Sequence, residues 1–119
     1  MLSGSCLCGA VKFQILEAPA IVANCHCRMC QKQHGAPFAT YLSFKKESLI
    51  YSAGFEQLKS YNSSSTIQRK FCSICGSNIE WSGHPEYREW VSVPATLLDS
   101  DFSPVEVANY FIDSKCSWV

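Results

Sequence analysis

Cys25-His26-Cys27-Arg28-Met29-Cys30 sets three thiols within six residues, at spacings of two and three. A disulfide across Cys25-x-Cys27 is geometrically poor, because one intervening residue cannot give the required Cβ separation without strain. Buried cysteine can also serve as a small hydrophobe, but this spacing follows ligand chemistry rather than the period of a core. Zinc takes four ligands in a tetrahedron, and three protein ligands with one open corner mark a catalytic ion. The trio is one thiol short of closure, which points to a metal that keeps a place for something from outside.

Two further pairs of thiols each end in a glycine: Cys6-Leu7-Cys8-Gly9 and Cys72-Ser73-Ile74-Cys75-Gly76. Together they supply the four thiolates of a closed, structural site, Cys6, Cys8, Cys72 and Cys75, with exchange of ligands between the two clusters as the rival arrangement. The 63 residues between Cys8 and Cys72 are far too many for a zinc finger. Such an ion ties the start of the chain to its middle, so binding is expected to be coupled to folding. The eighth cysteine, Cys116, decides the character of the other site. If it reaches Cys25, Cys27 and Cys30, that site is closed and inert; standing alone in Ser114-Lys115-Cys116-Ser117-Trp118, without a glycine turn, it is expected to be a bystander. Zinc with three thiolates is formally negative and polarises water poorly. It is better suited to take an incoming thiol as thiolate, which predicts carbon–sulfur chemistry.

The composition narrows the setting. A chain of 119 residues fits one domain, and 10 Lys plus Arg against 10 Asp plus Glu leaves no surplus charge for phosphates, so nucleic acid is not expected as a partner. Apolar runs are a few residues long, short of the ~20 needed to span a bilayer. Met1 to Ser5 leads into Cys6 without a basic and apolar leader. Reduced thiols in a cytoplasmic protein follow from this, and they set aside the disulfide framework that an even number of cysteines suggests in a secreted one.

The elements that carry these ligands read as short strands. Ala10 to Leu16, Phe38 to Phe44 and Thr66 to Phe71 alternate with period two, and Ala20 to Ala23 is a short β-branched run into the trio. Ser48 to Ser52 and Gln57 to Tyr61 read as a pair separated by Ala53-Gly54, and Asn62 to Ser65 as a polar loop tip. Ile79 to Trp81 and Trp90 to Val93 flank a Gly83-His84-Pro85 turn, and Ala108 to Ile112 is a closing strand. Only Arg28 to Gln33, stopped by Gly35 and Pro37, and one turn within Thr96 to Asp101 read as helix. The fold class is mainly β, one domain over residues 1–119 of short antiparallel strands.

In order along the chain, Ser5-Cys6-Leu7-Cys8-Gly9-Ala10-Val11, Cys25-His26-Cys27-Arg28-Met29-Cys30, Gly35-Ala36-Pro37-Phe38-Ala39 and Arg69-Lys70-Phe71-Cys72-Ser73-Ile74-Cys75-Gly76-Ser77 resemble the glutathione-dependent formaldehyde-activating enzyme family. The resemblance implies a β-tent-like fold and two zinc ions, a structural one on Cys6, Cys8, Cys72 and Cys75 and a catalytic one on Cys25, Cys27 and Cys30. The activity it implies is a lyase-class reaction joining glutathione and formaldehyde as S-(hydroxymethyl)glutathione. The family also includes centromere protein V, and a non-catalytic zinc module for a protein partner is the alternative. The chain departs from the family pattern at Asn109, commonly histidine, and at Cys116, commonly proline or another small residue.

A thiol that attacks an aldehyde needs a proton for the oxygen, and His26, His34 and His84 are the candidates by chemistry. Each also fits a structural or exposed place: His26 pointing outward between ligands, His34 in an exposed turn, His84 in a loop. Arg28, Lys32 and Arg69 are candidates for a substrate's carboxylates, with a solvated surface as the plainer expectation for each.

Overall fold

The computed structural model describes all residues, 1–119. Ten short strands, one short helix and a few single 3-10 turns make up the chain. A three-stranded sheet has the order β1 (Leu2–Ser5), β2 (Lys12–Ile15), β5 (Leu49–Ala53). A seven-stranded sheet has the order β10 (Ala108–Tyr110), β3 (Ile21–Cys25), β4 (Ala39–Lys45), β9 (Trp90–Pro94), β8 (Asn78–Ser82), β7 (Gln68–Cys72), β6 (Leu58–Asn62). The helix α1 spans Arg28–His34, between β3 and β4. The fold is mainly β, as the alternation in the sequence requires.

The core lies between the sheets. Val11, Phe13 and Ile15 from the first pack against Leu42, Phe44, Ile79, Val91 and Val93 from the second, all nearly inaccessible. Cys6 and Cys72 belong to the same cluster, so the two cysteine turns grow directly out of the core. Side chains alternate along a strand, and with Leu42 and Phe44 turned to the core, Tyr41 faces the other side of the sheet. That outer side carries α1. The Cα radius of gyration, 13.6 Å, is what one domain of this length gives, about 13.5 Å.

Two expectations are corrected. The strands on either side of Ala53-Gly54 do not pair: β5 joins β2 and β6 joins β7, in different sheets. Gly54 makes this crossing possible, with φ of 74° and a hydrogen where a Cβ would lie 2.0 Å from the Ala10 carbonyl oxygen. The ladders are antiparallel as expected, apart from β10, which runs parallel to β3 with Tyr110 opposite Cys25. Residues before Cys6 are not a lead-in but strand β1, whose Gly4 lies opposite Phe13. The single turn in Thr96 to Asp101 falls slightly earlier, at Ala95–Leu97. No helix is long and apolar enough to cross a membrane.

Candidate metal centres

The loops closing β1–β2 and β7–β8 are built alike. In the first, the Cys6 N–H donates to the Val11 carbonyl (3.0 Å) and the Gly9 N–H to that of Cys6 (3.0 Å). In the second, the Cys72 N–H donates to the Ser77 carbonyl (2.9 Å) and the Gly76 N–H to that of Cys72 (2.8 Å). Gly9 and Gly76 turn the chain at φ of 80° and 82°, a conformation that costs other residues about 1–2 kcal/mol. The Leu7 N–H donates to Ser77 Oγ at 2.9 Å, lashing the first turn to the second.

The four sulfurs of Cys6, Cys8, Cys72 and Cys75 consequently lie within 4.8 Å of one another. Cys6 and Cys8 are 3.6 Å apart and Cys8 and Cys72 3.9 Å. A tetrahedron with metal–sulfur bonds of about 2.3 Å has edges of about 3.8 Å, whereas a disulfide needs about 2.05 Å. All eight cysteines are free. Within this cluster Cys75 is held down to about 5, first by the Ser77 side chain and then by the Ser77 backbone N–H, while Cys8, although a bond with the Ala10 backbone lowers it, is pushed up to about 11 by burial and by its neighbours Cys6, Cys75 and Cys72, so the four sulfurs do not ionise together without a cation.

The second group, Cys25, Cys27 and Cys30, also has its sulfurs within 4.8 Å. Cys25 ends β3, held between Ala39 of β4 and Tyr110 of β10. Cys27 is the N-cap of α1 and its sulfur accepts the Cys30 N–H at 3.3 Å, while Gly35 closes the helix in the left-handed region. Gln31, buried in that helix, donates to the carbonyls of His26 (2.8 Å) and Ser114 (3.0 Å), so the ligand turn is fastened to the C-terminal segment. The Cys25 thiol is lowered by its hydrogen bond with Cys30, and the Cys30 thiol is raised by the same bond and by burial. Crowded sulfurs that resist ionising together are what a dication relieves. Cys116 is outside this group. It is half-buried in a groove with Arg28, Gln31, Lys32, Pro37 and Trp118.

The candidate polar residues fall in unequal places. His26 does not point outward: it is buried, its Nε2 3.1 Å from Asn109 Oδ1 and its Nδ1 without a partner. Asn109 therefore faces the ligand turn. His84 is away from both clusters, packed beside Trp81 and Tyr87 and accepting the Glu86 N–H. Arg28 and Lys32 are exposed on α1.

Arg69 corrects the surface expectation. It is 6% exposed, with Nη1 3.8 Å from Cys30 Sγ and 2.6 Å from Gln33 Oε1, and Nε 3.0 Å from Ser63 Oγ. His34 is half-buried rather than exposed, and its Nε2 is 2.9 Å from Tyr41 Oη. Sequence reasoning missed Tyr41, Gln33 and Asn78 altogether. Their one visible signal is that Tyr41 lies on the outward parity of the strand that leaves the trio.

Comparison with known proteins agrees with this geometry. The family model described as "Glutathione-dependent formaldehyde-activating enzyme" matches residues 1–114. A Halomonas elongata protein named "Putative glutathione-dependent formaldehyde-activating enzyme" is 33% identical over 127 aligned positions, covering 100% of this chain and 80% of that protein. A Schizosaccharomyces pombe protein named as an uncharacterized lyase is 34% identical over 77 positions, 64% of this chain and 53% of that one. The crystal structure of a Rhodobacter sphaeroides protein superposes with a TM-score of 0.72 at 25% identity, over 90% of this chain and 98% of the other. With its fold, its two thiol clusters and a family match across nearly its whole length, the chain belongs to the glutathione-dependent formaldehyde-activating enzyme family.

Proposed function

We propose that this protein is a zinc-dependent carbon–sulfur lyase-type enzyme acting on a thiol–aldehyde adduct, with glutathione and formaldehyde as the pair suggested by the family. The observation that carries the reading is the trio itself: three converging sulfurs with Cys116 outside the group. Cys6, Cys8, Cys72 and Cys75 hold a structural ion that staples residues 1–119 into one domain, and Cys25, Cys27 and Cys30 hold a second. When bound there, a soft dication supplies a position at which an outside thiol is kept as its thiolate.

The remaining work belongs to the protein. Addition forms one sulfur–carbon bond, the carbonyl π pair moves onto oxygen, and that oxygen takes the proton the thiol gave up, so no oxidant is needed. Arg69 sets a fixed positive charge beside Cys30 and offsets the surplus negative charge of three thiolates. The bonds from Gln31 and the contact of His26 with Asn109 hold the ligand turn in place. Arg28 and Lys32, exposed at the groove of about 230 Å³ that adjoins the ligand helix, are the cations that meet a peptide-like substrate's carboxylates. A reducing compartment such as the cytoplasm suits such thiols.

The test is exchange between free and glutathione-bound formaldehyde, followed by NMR. Wild type accelerates it and Cys27→Ser does not. Equal rates for the two proteins with every thiol tried overturn the enzymatic reading in favour of a binding module.

A further inference from the structure

The trio is sealed on one side and open on another. Cys30 is 3% exposed and in contact with the buried Arg69, whereas Cys25 and Cys27 are half-buried. Two strands flank Cys25. On β4 the residue opposite is Ala39, 4% exposed; on β10 it is Tyr110, 43% exposed. Residues at one register of neighbouring strands point to the same face of a sheet, so Tyr110 stands on the face to which Cys25 presents its sulfur. An outside molecule therefore reaches Cys25 and Cys27 past the Tyr110 side chain.

The backbone around Tyr110 is held firmly. The His26 N–H donates to the Tyr110 carbonyl at 2.9 Å, which joins this residue to the ligand turn itself. Phe111 follows in the left-handed region, at φ 57° and ψ 43°, the one non-glycine residue of the chain with a positive φ. A bulky side chain is strained there. The Ser114 N–H donates to the Phe111 carbonyl at 2.9 Å, and Gln31 donates to the Ser114 carbonyl at 3.0 Å, so α1 and the 3-10 turn together enforce the bend. Packing does not explain it, because Tyr110, Phe111 and Ile112 are all exposed. Strain that the surroundings enforce clusters at active sites and ligand clamps, and here it begins one residue after Tyr110.

We propose that Tyr110 is a specificity-determining residue that receives the body of the thiol substrate and selects peptide thiols over small ones. This rests on the reading of the trio as the reacting centre. A thiol whose sulfur enters the open corner must project the rest of the molecule away from the sealed Cys30, toward the Tyr110 side. The phenol offers a broad apolar ring and a polar tip, which suits a chain of methylenes and amide groups. A two-carbon thiol ends before it covers the ring. Tyr110 exchanges no proton and makes no covalent bond; it acts on binding alone.

The test has two readouts on the zinc-loaded full chain. By NMR, glutathione is expected to show Overhauser contacts with the Tyr110 ring, assigned by their absence in Tyr110→Ala. In the thiol–formaldehyde assay, Tyr110→Ala is expected to raise KM for glutathione about 10-fold with kcat little changed, and to leave both constants for 2-mercaptoethanol nearly as in wild type. Tyr110→Phe, which keeps the ring, is expected to keep most of the affinity. No ring contact at saturating glutathione, an unchanged KM, or an equal loss with both thiols overturns the role of Tyr110; with wild type active beside an inactive Cys27→Ser, each leaves the enzymatic reading intact. No acceleration by wild type with any thiol–aldehyde pair overturns that reading and the role of Tyr110 with it.

Discussion

Arg69 brings a full charge into the interior, which costs several kcal/mol unless it is paired. Two of its contacts, Gln33 and Ser63, are neutral; the third is the Cys30 sulfur. Its charge balance therefore comes from the trio, and its reach extends to His34. Burial and that guanidinium hold the imidazole below its ordinary 6.5. Between the lowered value and 6.5 the unfolded chain binds more protons at this position than the native one. The stability linked to His34 is thus whole above pH 6.5 and is lost as pH falls through the lowered value. Melts of wild type and His34→Gln, compared from about pH 8 to about pH 5, are expected to show wild type losing Tm relative to the variant only below 6.5. A difference that stays constant across the range would show a histidine that titrates in the native state as it does in the unfolded chain.

At the scale of elements, two hairpin turns from different sheets meet at four sulfurs. Their spacing alone separates this cluster from the trio, because the turns grow from the core and the trio sits on a strand end and a helix. A structural zinc site contributes about 10–16 kcal/mol, comparable to or above the whole stability of a domain. Cys72→Ser is therefore expected to lose its cooperative unfolding transition, while Cys27→Ser keeps one, as read by circular dichroism with zinc determined alongside. Melting of Cys72→Ser within a few degrees of wild type would contradict the staple.

Cysteine spacing is local, and that is why both clusters and the short helix from Arg28 could be read from the sequence. Pairing is not local. Nothing in Ser48 to Tyr61 says that its two strands belong to different sheets, since the deciding contact is Gly54 against Ala10, far away in the chain. Alternation put Ile67, Arg69 and Phe71 on one side of a strand but could not say that Arg69 lies under a helix. The same limit hid Tyr41, whose partner His34 comes from α1.

For the molecule as a whole, the seven-stranded sheet separates two tasks. Its inner face, with the three-stranded sheet, makes the core; its outer face holds α1, Tyr41, Arg69 and the trio. The account requires one thiol-liganded ion to be complete and the other to be open to an outside sulfur. Zinc X-ray absorption on the loaded protein, before and after adding glutathione, tests this most directly. The predicted result is about 3.5 sulfurs per zinc rising to about 4, the mean of a closed and a three-thiol site becoming two four-sulfur sites. Four sulfurs per zinc from the start, or a count that glutathione does not change, would contradict it.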